Sequence, residues 1–489
     1  MSSHDVMRGF FALLLGGIIA WNVYSRSVEE DEPQPEDSKR QRYLPYGSGA
    51  LLPLMFLVLL VMGLAYYGPR EALRLTLSVC FTIFVQITLY YLILLPALPL
   101  LRRRFSARAC AALWILPNFL YITQQKAMAL ARPLVVISAS GALVWGLFGV
   151  WLTGALVFFL WKVIAHLCFR ARLLRGARAV QDPEVLAVWD QELAAANVRK
   201  PKFRLVTSPN TATPLSVGLF QRTIRVVLPR RPYTREELSL LLRHELIHIG
   251  REDAWNKFFL LFCTALCWFN PLMWVAMKKS AEDLELSCDE TVLLEADDVT
   301  RTRYARLLLD TAGDARGFTT CLSASASSLR YRLKCVIRPP RKWAGGLLLG
   351  LVFFVLCMSC GFAALAWEAG TGAEIIFQSR DPRGYALSYV TRREGDETAY
   401  PQCTDPRAMA DYLARLPMEY LTGNYTYEEE DRQLFLLYEA GGEVMGVTLW
   451  DHAAKVVPLR EEEEGGGYYL PQATDWAYLD SLLAPRPEG

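Results

Sequence analysis

Histidine is scarce in this chain: 489 residues hold five, at positions 4, 166, 244, 248 and 452. A site made of three imidazoles is therefore hard to assemble, and metal chemistry here must recruit carboxylates or thiols. The eleven cysteines are scattered, most of them in apolar stretches, and their spacing supports no structural zinc ribbon. Residues 368–489 contain one cysteine, Cys403, which excludes an internal disulfide there. The same stretch has a single lysine, Lys455, and 10 Lys+Arg against 23 Asp+Glu, whereas the rest of the chain carries 42 against 27. Charge is almost missing from several long runs. With 53% hydrophobic residues, that excludes a plain soluble enzyme and points to membrane segments. The uneven charge suits a basic cytoplasmic side and an acidic outer domain.

Two of the five histidines fall in one stretch, Pro232 to Gly250. Thr234 followed by Glu237 forms a capping box, so a helix should begin at Arg235. Leu238, Leu241, Leu242 and Ile249 recur at helical spacing, and Gly250 marks its end. Inside lies His244-Glu-Leu-Ile-His248. Histidines four apart share a helix face, so both can reach one Zn²⁺. Glu245 then lies beside the open metal position, where it can deprotonate water. Two chance histidines on a surface helix would not bracket a Glu in this way.

The apolar runs give the organisation. Gly9–Tyr24 is short for a span, with a cleaved signal peptide as the competing reading. Ser25–Gly49 reads as a flexible linker. Ala50–Tyr67 and Leu77–Leu101 read as spans, Ala111–Ile122 as a weak crossing interrupted by Pro117, and Val135–Val163 and Ala344–Trp367 as further spans. Residues 1–75 are thus extra N-terminal segments with a linker, 76–164 membrane helices, 165–343 a cytoplasmic block, 344–367 the final span and 368–489 an outer domain. Arg102–Arg104, Arg170–Arg178 and Arg338–Lys342 mark the cytoplasmic edges. Within the block, Pro183–Ala195 should be helical and Phe203–Thr207 and Ile224–Leu228 strands. Phe258–Met277, broken at Asn270-Pro271, should form a helical hairpin.

Two histidines need a third protein ligand. His4 and His452 fall outside the block and His166 sits where a span ends, so a carboxylate must be sought. Glu285 and Asp289 lie four apart on one helix face. Glu285 is assigned as the third ligand, and Asp289 as the acceptor that holds a ligand His by its other ring nitrogen. Glu282 and Cys288 are the runner-up ligands.

His244–His248, Asp253, Trp268-Phe-Asn-Pro271 and Glu285-Leu-Ser-Cys-Asp289 together resemble the BlaR/MecR-type signal-transducing membrane metallopeptidases. Thr213–Leu228 and Tyr304-Ala-Arg-Leu-Leu-Leu-Asp310 fit the same pattern, and the resemblance covers roughly residues 76–367. It implies a cytoplasmic zinc protease, related in site geometry to the prenyl-protein proteases and controlled by an extracytoplasmic sensor. It also brings in Asp253 beside the ligands. Such proteins typically trigger cleavage of a dimeric winged-helix repressor, often after cleaving themselves. The expected architecture is a multi-pass α-helical membrane protein. It embeds an α+β zincin-like (gluzincin-type) cytoplasmic peptidase domain and carries a small α+β extracytoplasmic domain.

The sequence departs from that family in three places. Residues 1–75 add segments the family core does not need. Position 267 is Cys where the pattern has His. The penicillin-binding sensor is missing, because acylation by a β-lactam needs a Ser with a Lys three residues on. Ser379, Ser388 and Ser481 have none.

In the outer domain, 374–390 and 432–459 read as strands, and Pro406–Leu416 and Asp475–Leu483 as helices. Tyr420, Tyr425, Tyr427, Tyr468 and Tyr469 line either a ligand groove or a core, and Glu461–Glu464 reads as a solvated loop.

The expected chemistry is peptide hydrolysis, with Glu245 as general base and Ser216, Val217 and Gly218 offering an edge to an extended substrate. Expected partners are membrane lipid, a protein substrate (a winged-helix repressor or the chain itself) and an unknown extracytoplasmic ligand. No direct nucleic-acid contact is expected, and a homodimer is compatible with this reading. The expected location is the bacterial plasma membrane. The alternatives are a constitutive membrane quality-control protease and a non-enzymatic receptor or scaffold with a structural zinc site. Glu245 speaks against the scaffold, since a structural site needs no base.

Overall fold

The computed structural model describes residues 3–31, 51–123, 130, 132–196, 198, 201–294, 296–312, 326–338, 342–395, 397–421, 432–440, 443–458 and 466–485. Most of the expected linker, together with Tyr425, Tyr427 and Glu461–Glu464, lies outside these residues.

The apolar half is a set of packed helices. Ser3–Asp31 carries the first apolar run and lies along Gly346–Met358. Small residues let them approach closely: a Cβ on Gly350 would sit 2.5 Å from the Gly16 carbonyl oxygen. Arg8, buried, donates to the Met358 carbonyl at 2.8 Å, satisfying the end of that shorter helix. Among the described residues, two helical stretches, Cys80–Arg104 and Gly141–Leu174, are long and apolar enough to cross a membrane. Leu92, Ile93, Leu147, Val157, Leu347 and Val355 face outward, more than half exposed, as a lipid-facing surface requires.

The structure revises several expected spans. Ala50–Tyr67 and Leu77–Leu101 are not separate helices, because Leu51–Arg104 is one continuous helix despite Pro69, Pro96 and Pro99. Ala111–Ile122 is not one helix. Pro117 breaks it into Ala107–Ile115, a 3₁₀ turn at Leu116–Phe119 and a last turn at Leu120–Thr123. Most of it is buried against the other helices.

The run from Val135 begins as a strand, Val135–Ala139, and becomes helical only at Gly141. The run ending at Trp367 is helical only to Met358. Gly361 turns the chain with φ of +79°, and Ala363–Thr371 is a strand. These two strands pair in parallel, Val135 opposite Ala363 through Ala139 opposite Trp367. An unbroken apolar run does not by itself distinguish a buried strand from a helix, and here β-branched Val135, Val136 and Ile137 favour the strand.

That parallel pair begins a nine-stranded sheet otherwise built from residues 386–469. The helices Pro406–Arg415 and Trp476–Ser481 match expectation within two residues. Residues 374–384 are not a strand. A capping box of Thr371 and Glu374 starts a short helix, Gly372–Ile375, and a 3₁₀ turn follows at Pro382–Gly384. Tyr420 and Tyr468 pack together with ring centroids 5.8 Å apart.

The remaining block holds a four-stranded sheet in which Arg204–Ser208 and Arg225–Pro229 are parallel. Leu215–Val217 runs antiparallel to Arg225–Pro229 along one edge. The helix Pro183–Ala195 and the site helix Arg235–Gly250 bury Val188, Trp189, Leu238, Leu242 and Leu246 against it. The expected hairpin is present as Asp253–Leu266 followed by Pro271–Val292. Asn270 caps the second helix by accepting from the Leu272 amide at 3.0 Å.

Candidate metal centre

The site helix starts as its sequence demands. Thr234 Oγ1 accepts from the Glu237 amide, and Glu237 accepts from the Thr234 amide at 2.9 Å. This fixed start sets the phase of the helix, and His244 and His248 emerge together on the side facing Pro271–Val292. Arg251, at the end of the site helix, donates to Ser287 at 2.8 Å and staples the two helices together.

The two imidazoles point their Nε2 atoms at each other, 3.1 Å apart. Glu285 brings one carboxylate oxygen to each of them, 3.5 Å from His244 and 3.6 Å from His248. The outer ring nitrogens are occupied. His248 Nδ1 donates to Asp253 at 2.7 Å. A left-handed residue, Glu252 at φ +54°, turns the chain so that Asp253 can reach back.

His244 Nδ1 lies 2.9 Å from the Tyr304 hydroxyl, whose own hydrogen goes to Asp289 Oδ1 at 2.7 Å. The ring therefore donates and the hydroxyl oxygen accepts. Asp289 itself is 3.7 Å from His244 Nδ1, so its expected hold on a histidine runs through Tyr304. Arg332 grips Asp289 with two hydrogen bonds, 2.6 and 2.8 Å, and reaches within 3.7 Å of Glu285. Lys257 lies 3.7 Å from the other Glu285 oxygen.

With hydrogens on both Nδ1 atoms, two lone pairs would face each other at the centre. That contact is repulsive unless something positive sits between them. Burial disfavours charge on His244, yet Cys288 and Glu285 outweigh it and push the imidazole up to about 10. His248 is raised as well, burial being overcome by Cys288, Glu285 and Asp253. Glu285 is held well below the usual carboxylate range against burial, chiefly by His248. The cluster thus presents converging ligand atoms to a cation. Two ligands bound tetrahedrally at zinc–nitrogen lengths stand about 3.4 Å apart, close to the separation here.

Cys288 is the rival to Glu285: His244, His248 and Cys288 offer ligand atoms within 4.8 Å of one another. Its thiol donates to the His244 carbonyl oxygen at 3.4 Å. Glu282, the other runner-up, turns to Lys279 at 2.7 Å. Glu245 is buried on the site helix.

Ser216, Val217 and Gly218 lie at the sheet edge, and among the described residues Leu215–Val217 pairs only with Arg225–Pro229. The edge strand lies against the site helix. Gly218 has φ of +127°, and a Cβ there would lie 2.7 Å from the Thr223 carbonyl oxygen, so only glycine fits.

Arg332 and Lys257 were missed as site residues because basic side chains near an acidic pair carry no spacing signal. Tyr304 was visible only as part of a family-like string, without a role.

Residues 118–336 match the family model described as BlaR1 peptidase M56. A segment of 188 residues is 27% identical to "Regulatory protein BlaR1" of Bacillus licheniformis, covering 38% of this chain and 30% of that protein. The helix with His244 and His248, the helix with Glu285 and the partners Tyr304 and Arg332 all fall inside the matched region, and in residues 118–336 the chain is similar to the BlaR1-type M56 peptidases.

Proposed function

We propose that this chain is a zinc-dependent endopeptidase of the membrane, and that it relays an extracytoplasmic signal by cutting itself, a transcriptional repressor, or both. The observation that carries the reading is the convergence of two tautomer-fixed Nε2 atoms and the Glu285 carboxylate beside a buried Glu245. His244, His248 and Glu285 hold the metal in this reading. Glu285 is preferred to Cys288 because it presents an oxygen to each Nε2, while the thiol is turned to a backbone carbonyl.

A bound Zn²⁺ would supply Lewis acidity, polarising the scissile carbonyl and acidifying water. Glu245 accepts the proton of the attacking water and returns it to the leaving amine. The free edge of Leu215–Val217 and Gly218 offers backbone groups to an extended substrate, fixing its register. Arg102–Arg104, Arg170–Arg178 and Arg338–Lys342 favour the cytoplasmic side for this block, with the acidic sheet outside.

The test is the purified full chain beside Glu245→Gln, assayed for bound metal and for self-cleavage or cleavage of a winged-helix repressor. Equal zinc content with cleavage lost only in the variant is the expected result. Cleavage at the wild-type rate in Glu245→Gln would overturn the assignment of the base, and absence of zinc from both proteins would overturn the metal reading.

A further inference from the structure

The outer nitrogens of the two histidines are held very differently. His248 is anchored locally, by an aspartate five residues away on the next helix. His244 is anchored by a three-residue chain drawn from three separate helices: Tyr304 on Asp298–Ala312, Asp289 on Pro271–Val292 and Arg332 on Ala326–Ile337. Every member is buried or nearly so, with Asp289 and Tyr304 at 1% and 2% exposure. In such surroundings a phenol hydroxyl is costly to place without partners, and here both its hydrogen and its oxygen are used.

We propose that Tyr304 and Arg332 are positioning residues of the metal centre. Tyr304 sets the tautomer and ring angle of His244. Arg332, through its fork on Asp289 and its approach to Glu285, sets two ligands at once. The inference rests on the zinc reading above. Planar guanidinium geometry matters: the two bonds of 2.6 and 2.8 Å use two nitrogens, which a lysine ammonium does not reproduce.

The experiment measures zinc affinity of the purified full chain by competition with a chromophoric chelator, together with the visible absorption of the cobalt-substituted protein. Tyr304→Phe keeps the ring and removes the hydroxyl, and Arg332→Lys keeps the charge and removes the fork. Each should weaken zinc about 10- to 100-fold and shift the cobalt bands.

Combination with a second substitution separates positioning from general loosening. Tyr304→Phe with Asp289→Asn should cost little more than either alone, because both break one chain. Tyr304→Phe with Asp253→Asn should multiply, because the anchors are independent. Wild-type affinity and cobalt spectrum in both Tyr304→Phe and Arg332→Lys would overturn the proposal. So would multiplicative loss in the Tyr304–Asp289 pair. If Tyr304→Phe fails to fold, Arg332→Lys with Asp289→Asn carries the same test. A wild-type chain that binds no zinc, or binds it unchanged after His244→Ala, would instead overturn the underlying metal reading.

Discussion

At the residue scale, the choice between Glu285 and Cys288 decides what kind of centre this is. A carboxylate third ligand leaves a position open for water and substrate, whereas an added thiolate would close the site. Glu285→Ala should lower zinc affinity by more than about 100-fold, beyond the range of outer partners. Cys288→Ser should leave it within a few-fold, and cobalt-loaded wild type should lack the strong near-ultraviolet band of a cobalt–thiolate bond. Observation of that band would reassign the ligand. The histidine pair and its glutamate were legible from the sequence because a helical period fixes which side chains share a face, whereas Glu285 sits on another helix and only packing brings it to both rings. Tyr304 and Arg332 come from helices distant in sequence, and only the fold places them against His244 and Asp289. The hold of Asp289 on a ligand histidine, expected from the sequence as direct, runs to His244 through the Tyr304 hydroxyl, with Asp289 itself 3.7 Å from the ring nitrogen.

At the scale of elements, capping chemistry made the site helix readable to the residue. Thr234→Ala removes one arm of the box and should cost about 1 kcal/mol. Hydrogen exchange checks this: amides of the first turn should open roughly fivefold more often, with the His244 end of the helix little changed. Unchanged exchange at Glu237 would show that the cap adds nothing.

The membrane helices were less legible, since apolar runs lack period and their ends carry little signal. Val135–Ala139 and Ala363–Trp367 looked like the ends of spans because both are apolar, yet both join a sheet. Close helix packing is also hidden in composition. Gly350→Val would drive a side chain into the Gly16 backbone and should cost about 1–3 kcal/mol, lowering the thermal midpoint of the detergent-solubilised protein. Gly17→Val is the matched control, because a Cβ there meets nothing within 4 Å.

At the scale of the whole molecule, the two halves are joined through the ligand helix as well as through the chain. Asp283 accepts from Arg102 at 2.8 Å and from Trp114 at 2.7 Å. Seven residues on, Glu290 binds Lys342 at 2.6 Å and the Ala107 amide at 2.9 Å. Glu285 and Asp289 lie between these two ties, so the helix that carries them is fixed to the end of Leu51–Arg104 and to Lys342, just before Gly346–Met358. Truncation after Trp367 leaves Val135–Ala139 paired only with Ala363–Trp367, and an isolated two-stranded pair is marginal. Amide protection of residues 135–139 should then fall to that of an open loop. Retained protection would show that the rest of the nine-stranded sheet does not hold this pair.

The parallel pairing of those strands has a mechanical consequence. One strand leads directly into Gly141–Leu174, which ends at the peptidase sheet, where Ser208 donates to the Leu173 carbonyl oxygen. The other follows directly from Gly346–Met358, which starts beside the Lys342 tie to the ligand helix. Slipping one helix past the other by a single residue would shift the strand register by about 3.3 Å and break the ladder. The two helices are therefore coupled like rods on one crosshead: a shift along the axis of one must carry the other with it or break the ladder.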